Sequence, residues 1–162
     1  MADIAHVYRP DLIAADLGLQ GGVLAAEEGL ETAIIHSLFT DARALPDDRL
    51  PEAEADRRGW WGDAMPPNVD GAPADGDKYG SRLWLLHREK QLPEVLRRAR
   101  EYIEEALTWV IEDGIAERVE VETFVHRPGV LGFTVVIPRP SGAETFTYQY
   151  AWRGQAAKTE AA

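Results

Sequence analysis

Three runs of alternating residues near the C-terminus constrain the fold of this 162-residue chain more than any other feature. Apolar and smaller or polar side chains alternate with a period of two in each run, and Pro/Gly turns separate the runs, which cover residues 119–126, 131–137 and 145–152. Such alternation between short turns is typical of antiparallel strands that follow one another in a sheet. The sequence therefore predicts a three-stranded antiparallel meander.

The last of these strands carries four aromatic side chains with a spacing of two, Phe146, Tyr148, Tyr150 and Trp152. The spacing places them on one face, which we interpret as a core face. A strand at the end of a chain often lies at the edge of its sheet. An edge strand offers free backbone donors and acceptors to an incoming strand, so this strand is also a candidate for binding a partner.

Helical patterns precede the meander. Pro93 occupies a first helical position, and apolar residues then recur with a period near 3.6 to about Glu112, before Gly114 as a left-handed cap. A second helix is predicted over 30–39, and Ser81 is placed to cap a short helix through Leu86. Near the N-terminus, residues 12–19 and 23–26 flank Gly21-Gly22, which predicts a hairpin.

These elements predict an α+β fold in which helices pack on one face of an antiparallel sheet formed by the N-terminal hairpin and the meander. A length of 162 residues fits one domain, for which we expect the bounds 1–152. A long irregular loop over 41–80 interrupts it, because no helical or strand period survives there. The tail 153–162 has no apolar anchor, and we expect it to be disordered.

Composition excludes several classes of function. The formal net charge of -11 argues against binding to nucleic acid or to an anionic membrane, because phosphates would be repelled. The absence of cysteine excludes disulfides and thiolate metal sites. No signal-peptide pattern opens the sequence, and no apolar run approaches the roughly 20 residues of a membrane helix.

Motifs for catalysis, metals or cofactors are not found. The four histidines, His6, His36, His87 and His126, lie in four different elements without helical metal-ligand spacing. The segment that begins at Asp75 opens like a calcium-binding loop, but Tyr79 and Leu86 stand where two ligands should be. We therefore predict no catalytic residue, no metal and no cofactor.

The irregular loop contains one informative segment, Asp56 to Asp63, which reads DRRGWWGD. Disordered segments are poor in aromatic residues, so the pair Trp60 and Trp61 is expected to be anchored or to fill a partner's pocket. A second interpretation is a muralytic glycosidase that uses the flanking carboxylates of Asp56 and Asp63, since acids beside aromatic rings occur in sugar-binding clefts.

Four blocks of the sequence are distinctive, LETAIIHSLFTD at 30–41, DRRGWWGD at 56–63, GSRLWLL at 80–86 and ALTWVIEDG at 106–114. Together they resemble a known family, the Mu-like phage baseplate wedge proteins. The resemblance covers roughly residues 11–152, and it extends distantly to the sheath-initiating wedge proteins of other contractile tails. Those wider relatives carry a Glu-Pro-Arg motif after the long helix, whereas this chain has Ile111-Glu-Asp-Gly-Ile115, so contacts of that motif are not carried over.

The resemblance implies a virion component without enzymatic activity. Such a protein assembles into the tail baseplate with sixfold arrangement after synthesis in the host cytoplasm. Its implied partners are the large wedge protein and the tail sheath subunit, with the tail tube or spike hub proteins as further candidates. In the wider group, neighbouring sheath domains exchange strands, which would give the edge strand a partner. A soluble adaptor unrelated to phage tails is a third hypothesis.

The candidate interface residues come from the loop, the short helix and the last strand. Arg57, Arg58, Trp60, Trp61 and Trp84 are predicted to contact a partner or to anchor the loop. The last strand adds Tyr148, Tyr150 and Trp152.

Overall fold

The computed structural model describes residues 3–27, 29–51, 56–65, 68–69, 72–73, 79–139 and 142–151. Its helices are α1 (Glu31–Phe39), α2 (Pro93–Ala106) and α3 (Thr108–Glu112), with 3-10 turns at Trp61–Ala64 and Leu83–Leu86. Its strands are β1 (Asp3–Ile4), β2 (His6–Arg9), β3 (Ala14–Leu17), β4 (Leu19–Gln20), β5 (Val23–Leu24), β6 (Ala26–Glu27), β7 (Asn68–Val69), β8 (Ala72–Pro73), β9 (Glu120–Arg127), β10 (Val130–Arg139) and β11 (Gly142–Ala151). The predicted α+β class with antiparallel strands is confirmed.

The C-terminal meander forms as the sequence predicts. Its strands lie in the order β11-β10-β9, and both pairs are antiparallel. The central strand buries alternate side chains completely, namely Leu131, Phe133, Val135 and Ile137. Helix α2 packs against β9, where Thr123 Oγ1 donates a hydrogen bond of 3.0 Å to the carbonyl oxygen of Leu96. One face of the sheet is thus the core of the domain.

The long helix predicted over 93–112 is in fact two helices, so the prediction of one continuous helix is wrong. Leu107 separates α2 from α3 with backbone angles of φ -106° and ψ 11°, and its side chain is fully buried. Neither Pro nor Gly marks the break in the sequence, and the feature that accompanies it is the burial of the Leu107 side chain. Beyond α3, Gly114 has φ +68°, which confirms the predicted left-handed cap.

The N-terminal segment is more complex than the single predicted hairpin. Gly21 and Gly22 do form a turn, with φ of +61° and +84°, but β4 and β5 around it have only two residues each. The other strands make two further ribbons, β2 with β3 and β1 with β6. Residues 12–19 therefore do not form one strand of a hairpin, because residues 11–13 are a turn and Gly18 separates β3 from β4.

The three ribbons meet at a closed ring of backbone hydrogen bonds. Ala5 donates to Ala25 at 2.9 Å, Ala25 donates to Gly18 at 2.8 Å, and Gly18 donates to Ala5 at 2.8 Å. A Cβ atom on Gly18 would lie 3.3 Å from the Cβ atom of Ala5, so a side chain here would require its neighbours to shift by a few tenths of an ångström. The ring gives hydrogen-bond partners to the N–H and carbonyl groups of Ala5, Gly18 and Ala25, which lie where the three ribbons meet.

This N-terminal unit leaves many apolar side chains in solvent. Seven large apolar residues between positions 4 and 24 are at least 44% exposed, namely Ile4, Val7, Leu12, Leu17, Leu19, Val23 and Leu24. Monomeric soluble proteins rarely expose such residues in large numbers within one region. None of the described residues therefore buries these seven side chains.

The predicted irregular loop over 41–80 is held to the core by backbone hydrogen bonds. Ala42 donates to Ser81 at 2.9 Å, Ser81 donates to Thr40 at 2.8 Å, and Ala44 donates to Arg57 at 2.9 Å. The Ser81 hydroxyl also donates to the carbonyl oxygen of Leu38 at 2.7 Å. The segment 41–45 therefore lies between the chain around 57 and the chain around 81. Residues 75–78 of the calcium-like segment, Trp152 and the tail 153–162 lie outside the described residues.

Gly80 lies at this junction, against Thr40 and Ala42, and replacing it tests whether close packing there stabilises the domain. Gly80 has φ +94°, and an added Cβ would lie 2.6 Å from the carbonyl oxygen of Thr40. We expect Gly80→Ala to lower the free energy of unfolding by roughly 2–3 kcal/mol, because the residue would be both strained and sterically blocked. Chemical denaturation of the purified variant measures this.

Gly114→Ala is the matched control for that experiment. Gly114 also has a positive φ, but none of the described residues lies within 4 Å of the point that an added Cβ would occupy. Its replacement should cost only about 1 kcal/mol, the usual penalty of a left-handed conformation. Equal losses for the two variants would show that steric contact with Thr40 does not secure the loop.

Among the described residues, no helix is both long enough and apolar enough to cross a membrane.

Candidate protein-binding site

Two arginines secure the segment that carries the tryptophan pair. Arg57 donates from its guanidinium to the carbonyl oxygens of Leu45 and, at 3.0 Å, Pro46. Arg58 forms an ion pair of 2.7 Å with Asp41, and its guanidinium lies 4.5 Å from the ring centroid of Trp84. Arg57 therefore ties this segment to residues 45–46 of the same loop, and Arg58 holds it against Trp84 in the body of the domain.

Trp84 is the internal anchor of this arrangement. Its side chain is 2% exposed, and its indole Nε1 donates a hydrogen bond of 2.8 Å to the carbonyl oxygen of Ala42. Tryptophan in a core requires such a partner for its N–H group. Of the two roles considered for Trp84, the geometry fits loop anchoring and leaves little surface for a partner.

Trp60 and Trp61 differ in their surroundings. The Trp60 ring lies 4.9 Å from the ring of Tyr79 and covers Gly62, where an added Cβ would come within 2.1 Å of it. Trp61 is 73% exposed, and Met65 at the end of the same 3-10 turn is 71% exposed. The loop thus presents Trp61 and Met65 as an exposed apolar pair on an anchored base.

A groove of about 960 Å³ runs beside this loop. Residues 42–46, residues of helices α2 and α3, and Asp63 are among the residues that line it. Arg82 lies in the groove and is bound to Asp48 at 2.8 Å and to Glu105 at 2.5 Å, with its guanidinium 4.5 Å from the ring centroid of Tyr102. Arg82 thus links the loop to α2.

Arg82 remains positively charged in this environment. Burial by itself would lower its pKa, but hydrogen bonds to Glu105 and Asp48 and the charges of those carboxylates outweigh burial and raise the pKa. Because the guanidinium stays ionised at every ordinary pH, the link between the loop and α2 does not depend on its titration.

Replacing Arg82 should therefore destabilise the domain. Arg82→Ala leaves the carboxylate of Asp48, whose side chain is 13% exposed, without its cation. We expect a loss of about 2–3 kcal/mol in the free energy of unfolding, below the value for a fully buried pair because Glu105 is partly solvated. Thermal unfolding followed by circular dichroism measures it.

Arg97→Ala is the control for Arg82→Ala. Arg97 forms ion pairs with Glu94 and Glu101 on α2, but its side chain is 57% exposed. Ion pairs in solvent contribute little, so we expect an unchanged melting temperature. A comparable loss in both variants would contradict a special role for Arg82.

The aromatic face of β11 lies mainly inside the domain, as the spacing predicted. Tyr148 is 1% exposed and packs near Phe133 and Tyr8, with ring centroids 5.7 and 5.1 Å away. The hydroxyl of Tyr150 lies 2.7 Å from Nε2 of His87, and the two rings stack. Tyr148 thus supports the strand from within, while Tyr150 is partly accessible.

Two histidines that are distant in sequence meet in space. Nδ1 of His6 lies 3.3 Å from Nε2 of His36, and Nδ1 of His36 lies 2.8 Å from the hydroxyl of Tyr79. The sequence places these histidines in separate elements, and no spacing signal could have paired β2 with α1. Within the described ranges, no three potential ligands come together to hold a metal ion.

The carboxylates considered for glycosidase chemistry are not brought into one cleft. Asp63 lines the groove, whereas Asp56 does not. Oδ1 of Asp56 instead accepts a hydrogen bond of 2.8 Å from the backbone N–H of Arg58. Asp56 therefore shapes the loop.

Residues 30–144, from the start of α1 into β11, match the family model described as phage protein GP46. The chain belongs to the phage GP46 family. The baseplate protein gp46 of Escherichia phage Mu is 37% identical over 143 residues, which is 88% of this chain and 91% of that protein. The Mu-like prophage FluMu protein gp46 of Haemophilus influenzae is 38% identical over 153 residues, which is 94% of this chain and 98% of that protein.

These matches confirm the resemblance seen in the four sequence blocks, since all four lie within the part that the GP46 family model covers. The N-terminal ribbons precede that part, but both relatives align over most of the chain. No solved structure matches the chain at a significant level.

Proposed function

We propose that this GP46 family member is a structural component of a contractile-tail baseplate, where it binds the large wedge protein and helps to initiate the sheath. The name of the Mu relative, a baseplate protein, supports a role in the baseplate. The similarity to a Mu-like prophage protein supports an origin in a phage or prophage genome. The proposal further implies sixfold placement in the virion tail, after synthesis in the host cytoplasm. The seven exposed apolar residues of the N-terminal unit offer a further surface for assembly, for example with tail tube or spike hub proteins.

The observation that carries the proposal is the exposure of Trp61 on an anchored loop. A tryptophan that is 73% exposed lowers the solubility of the unbound protein. Tryptophan is, however, among the residue types that most often supply binding energy at interfaces. The ion pair between Arg58 and Asp41 and the contact of the Trp60 ring with the Tyr79 ring order the loop before binding. Less conformational entropy is then lost when a partner docks. We assign this surface to the large wedge protein.

The outer edge of β11 is suited to a second partner. Strand β11 pairs with β10 over ten residues without a register shift, so it is long and regular. The opposite edge strand, β9, contains a register irregularity and is covered in part by α2. Long, regular, unprotected edges accept additional strands. We therefore assign the β11 edge to a strand of the tail sheath subunit.

Co-expression with the large wedge protein of the same phage or prophage tests the first assignment. We expect a complex of defined mass by size-exclusion chromatography with light scattering. Absence of a complex with the wedge protein and with the sheath subunit would contradict the structural role. Peptidoglycan hydrolysis that is abolished by Asp56→Asn or Asp63→Asn would replace it with the muralytic function.

A further inference from the structure

The outer edge of β11 is not uniform, because one side chain already occupies part of it. The hydroxyl of Tyr8 donates a hydrogen bond of 2.8 Å to the carbonyl oxygen of Gln149 and accepts one of 2.9 Å from the N–H of the same residue. An adjacent strand would offer that residue the same pair of bonds. The phenol of Tyr8 thus takes the place of a neighbouring strand at Gln149.

The alternation of a strand then identifies the remaining free positions. Backbone groups of alternate residues point to the same side, so those of Thr145 and Thr147 point outward as Gln149 does. Among the described residues, no hydrogen bond reaches the outward groups of Thr145 or Thr147. The side chains of both threonines are exposed. The open section of the edge therefore lies on the N-terminal side of Gln149.

The Tyr8 ring is held firmly in this position. It stacks on Phe39 of α1 at 5.7 Å and meets the ring of Tyr148 edge-on at 5.1 Å. Burial raises the pKa of Tyr8, although the hydrogen bond with Gln149 acts in the opposite direction. The phenol therefore remains protonated, and can donate, throughout the neutral range. Displacing it would break two hydrogen bonds and disturb the aromatic cluster of the core.

We propose that Tyr8 ends the open edge of β11, so that an incoming strand pairs only with the section from Ala143 to Thr147 and stops at the tyrosine ring. This inference rests on the proposed docking of a sheath strand, for which it specifies the length and the register. That section offers outward groups at Ala143, Thr145 and Thr147. A docked strand that ran further would meet Tyr8 at Gln149.

Hydrogen–deuterium exchange of the full chain tests the proposal. In the free protein we expect the amide of Gln149 to be protected and those of Thr145 and Thr147 to exchange rapidly. Tyr8→Phe keeps the ring but removes the hydroxyl, and it should accelerate exchange at Gln149 by about fivefold, as expected for the loss of one ordinary hydrogen bond. Tyr102→Phe removes a phenol that accepts a hydrogen bond from Arg98 at 3.2 Å, away from this edge, and should leave Gln149 unchanged.

The same measurement with the sheath subunit bound separates the two proposals. Protection of 143–147 alone in the native chain, extending to 149–151 in Tyr8→Phe, would support the role of Tyr8. Equal protection of both sections in the native chain would overturn it, as would unchanged exchange at Gln149 in free Tyr8→Phe. If the sheath subunit protects neither section, sheath docking at this edge fails, while the free-chain data still decide whether Tyr8 closes the edge.

Discussion

Replacing Trp61 with alanine should weaken the complex with the large wedge protein by about 30-fold or more, equivalent to about 2 kcal/mol, as for interface tryptophans generally. The free protein should keep its melting temperature, because the side chain is 73% exposed and contributes little to the core. Isothermal titration calorimetry on the variant and the native chain measures the dissociation constants.

Leu12→Ala is the control for Trp61→Ala. Leu12 is 62% exposed in the turn between β2 and β3, so the substitution also removes an exposed apolar side chain. It should leave binding to the wedge protein unchanged if the loop surface is specific. Similar losses in the two variants would indicate non-specific apolar association, and an unchanged affinity of Trp61→Ala would place the interface elsewhere.

The largest effect on stability is expected for Phe133→Ala in β10. The Phe133 side chain is fully buried, and its ring centroid lies 5.7 Å from that of Tyr148 and 6.4 Å from that of Phe39. Truncating a buried phenylalanine costs about 3–5 kcal/mol, because apolar contacts are lost and a cavity remains. In a chain of this size the melting temperature should fall by roughly 10 °C. Differential scanning calorimetry measures the change.

Val125→Ala in the neighbouring strand is the comparison for Phe133→Ala. Val125 is 43% exposed, so its truncation should change the free energy of unfolding by less than about 0.5 kcal/mol. A mild effect of Phe133→Ala would mean that the sheet does not carry the core. Because Phe133 is the cross-strand neighbour of Tyr148 in β11, its loss should also loosen the edge that we assign to the sheath strand.

The sequence predicts the candidate site only in part. The motif Asp56–Asp63 stands out through its tryptophans, but no local pattern distinguishes Trp60, which contacts the Tyr79 ring and is 38% exposed, from Trp61, which is 73% exposed. The burial of Trp84 beneath Arg58 is likewise invisible in the sequence. The contribution of Tyr8 is not predictable either, because 141 residues separate it from Gln149 and no local pattern relates them.

Local physical rules were sufficient for the elements whose neighbours in sequence are also neighbours in space. The period of two and the turns at 128–129 and 140–142 determined the meander, and the period of 3.6 determined α1 and most of α2. Gly114 and the pair Gly21-Gly22 were recognisable because positive φ angles favour glycine. The four blocks also determined membership of the GP46 family.

Only the tertiary structure decided the features that depend on long-range packing. The break at Leu107, the ring of hydrogen bonds among Ala5, Gly18 and Ala25, and the anchoring of the loop are set by burial and by backbone pairing between distant segments. The position of Tyr8 on β11 has the same origin. Sequence patterns report which face of an element is apolar, whereas the partner of that face is chosen when the whole chain packs, because apolar burial is not directional.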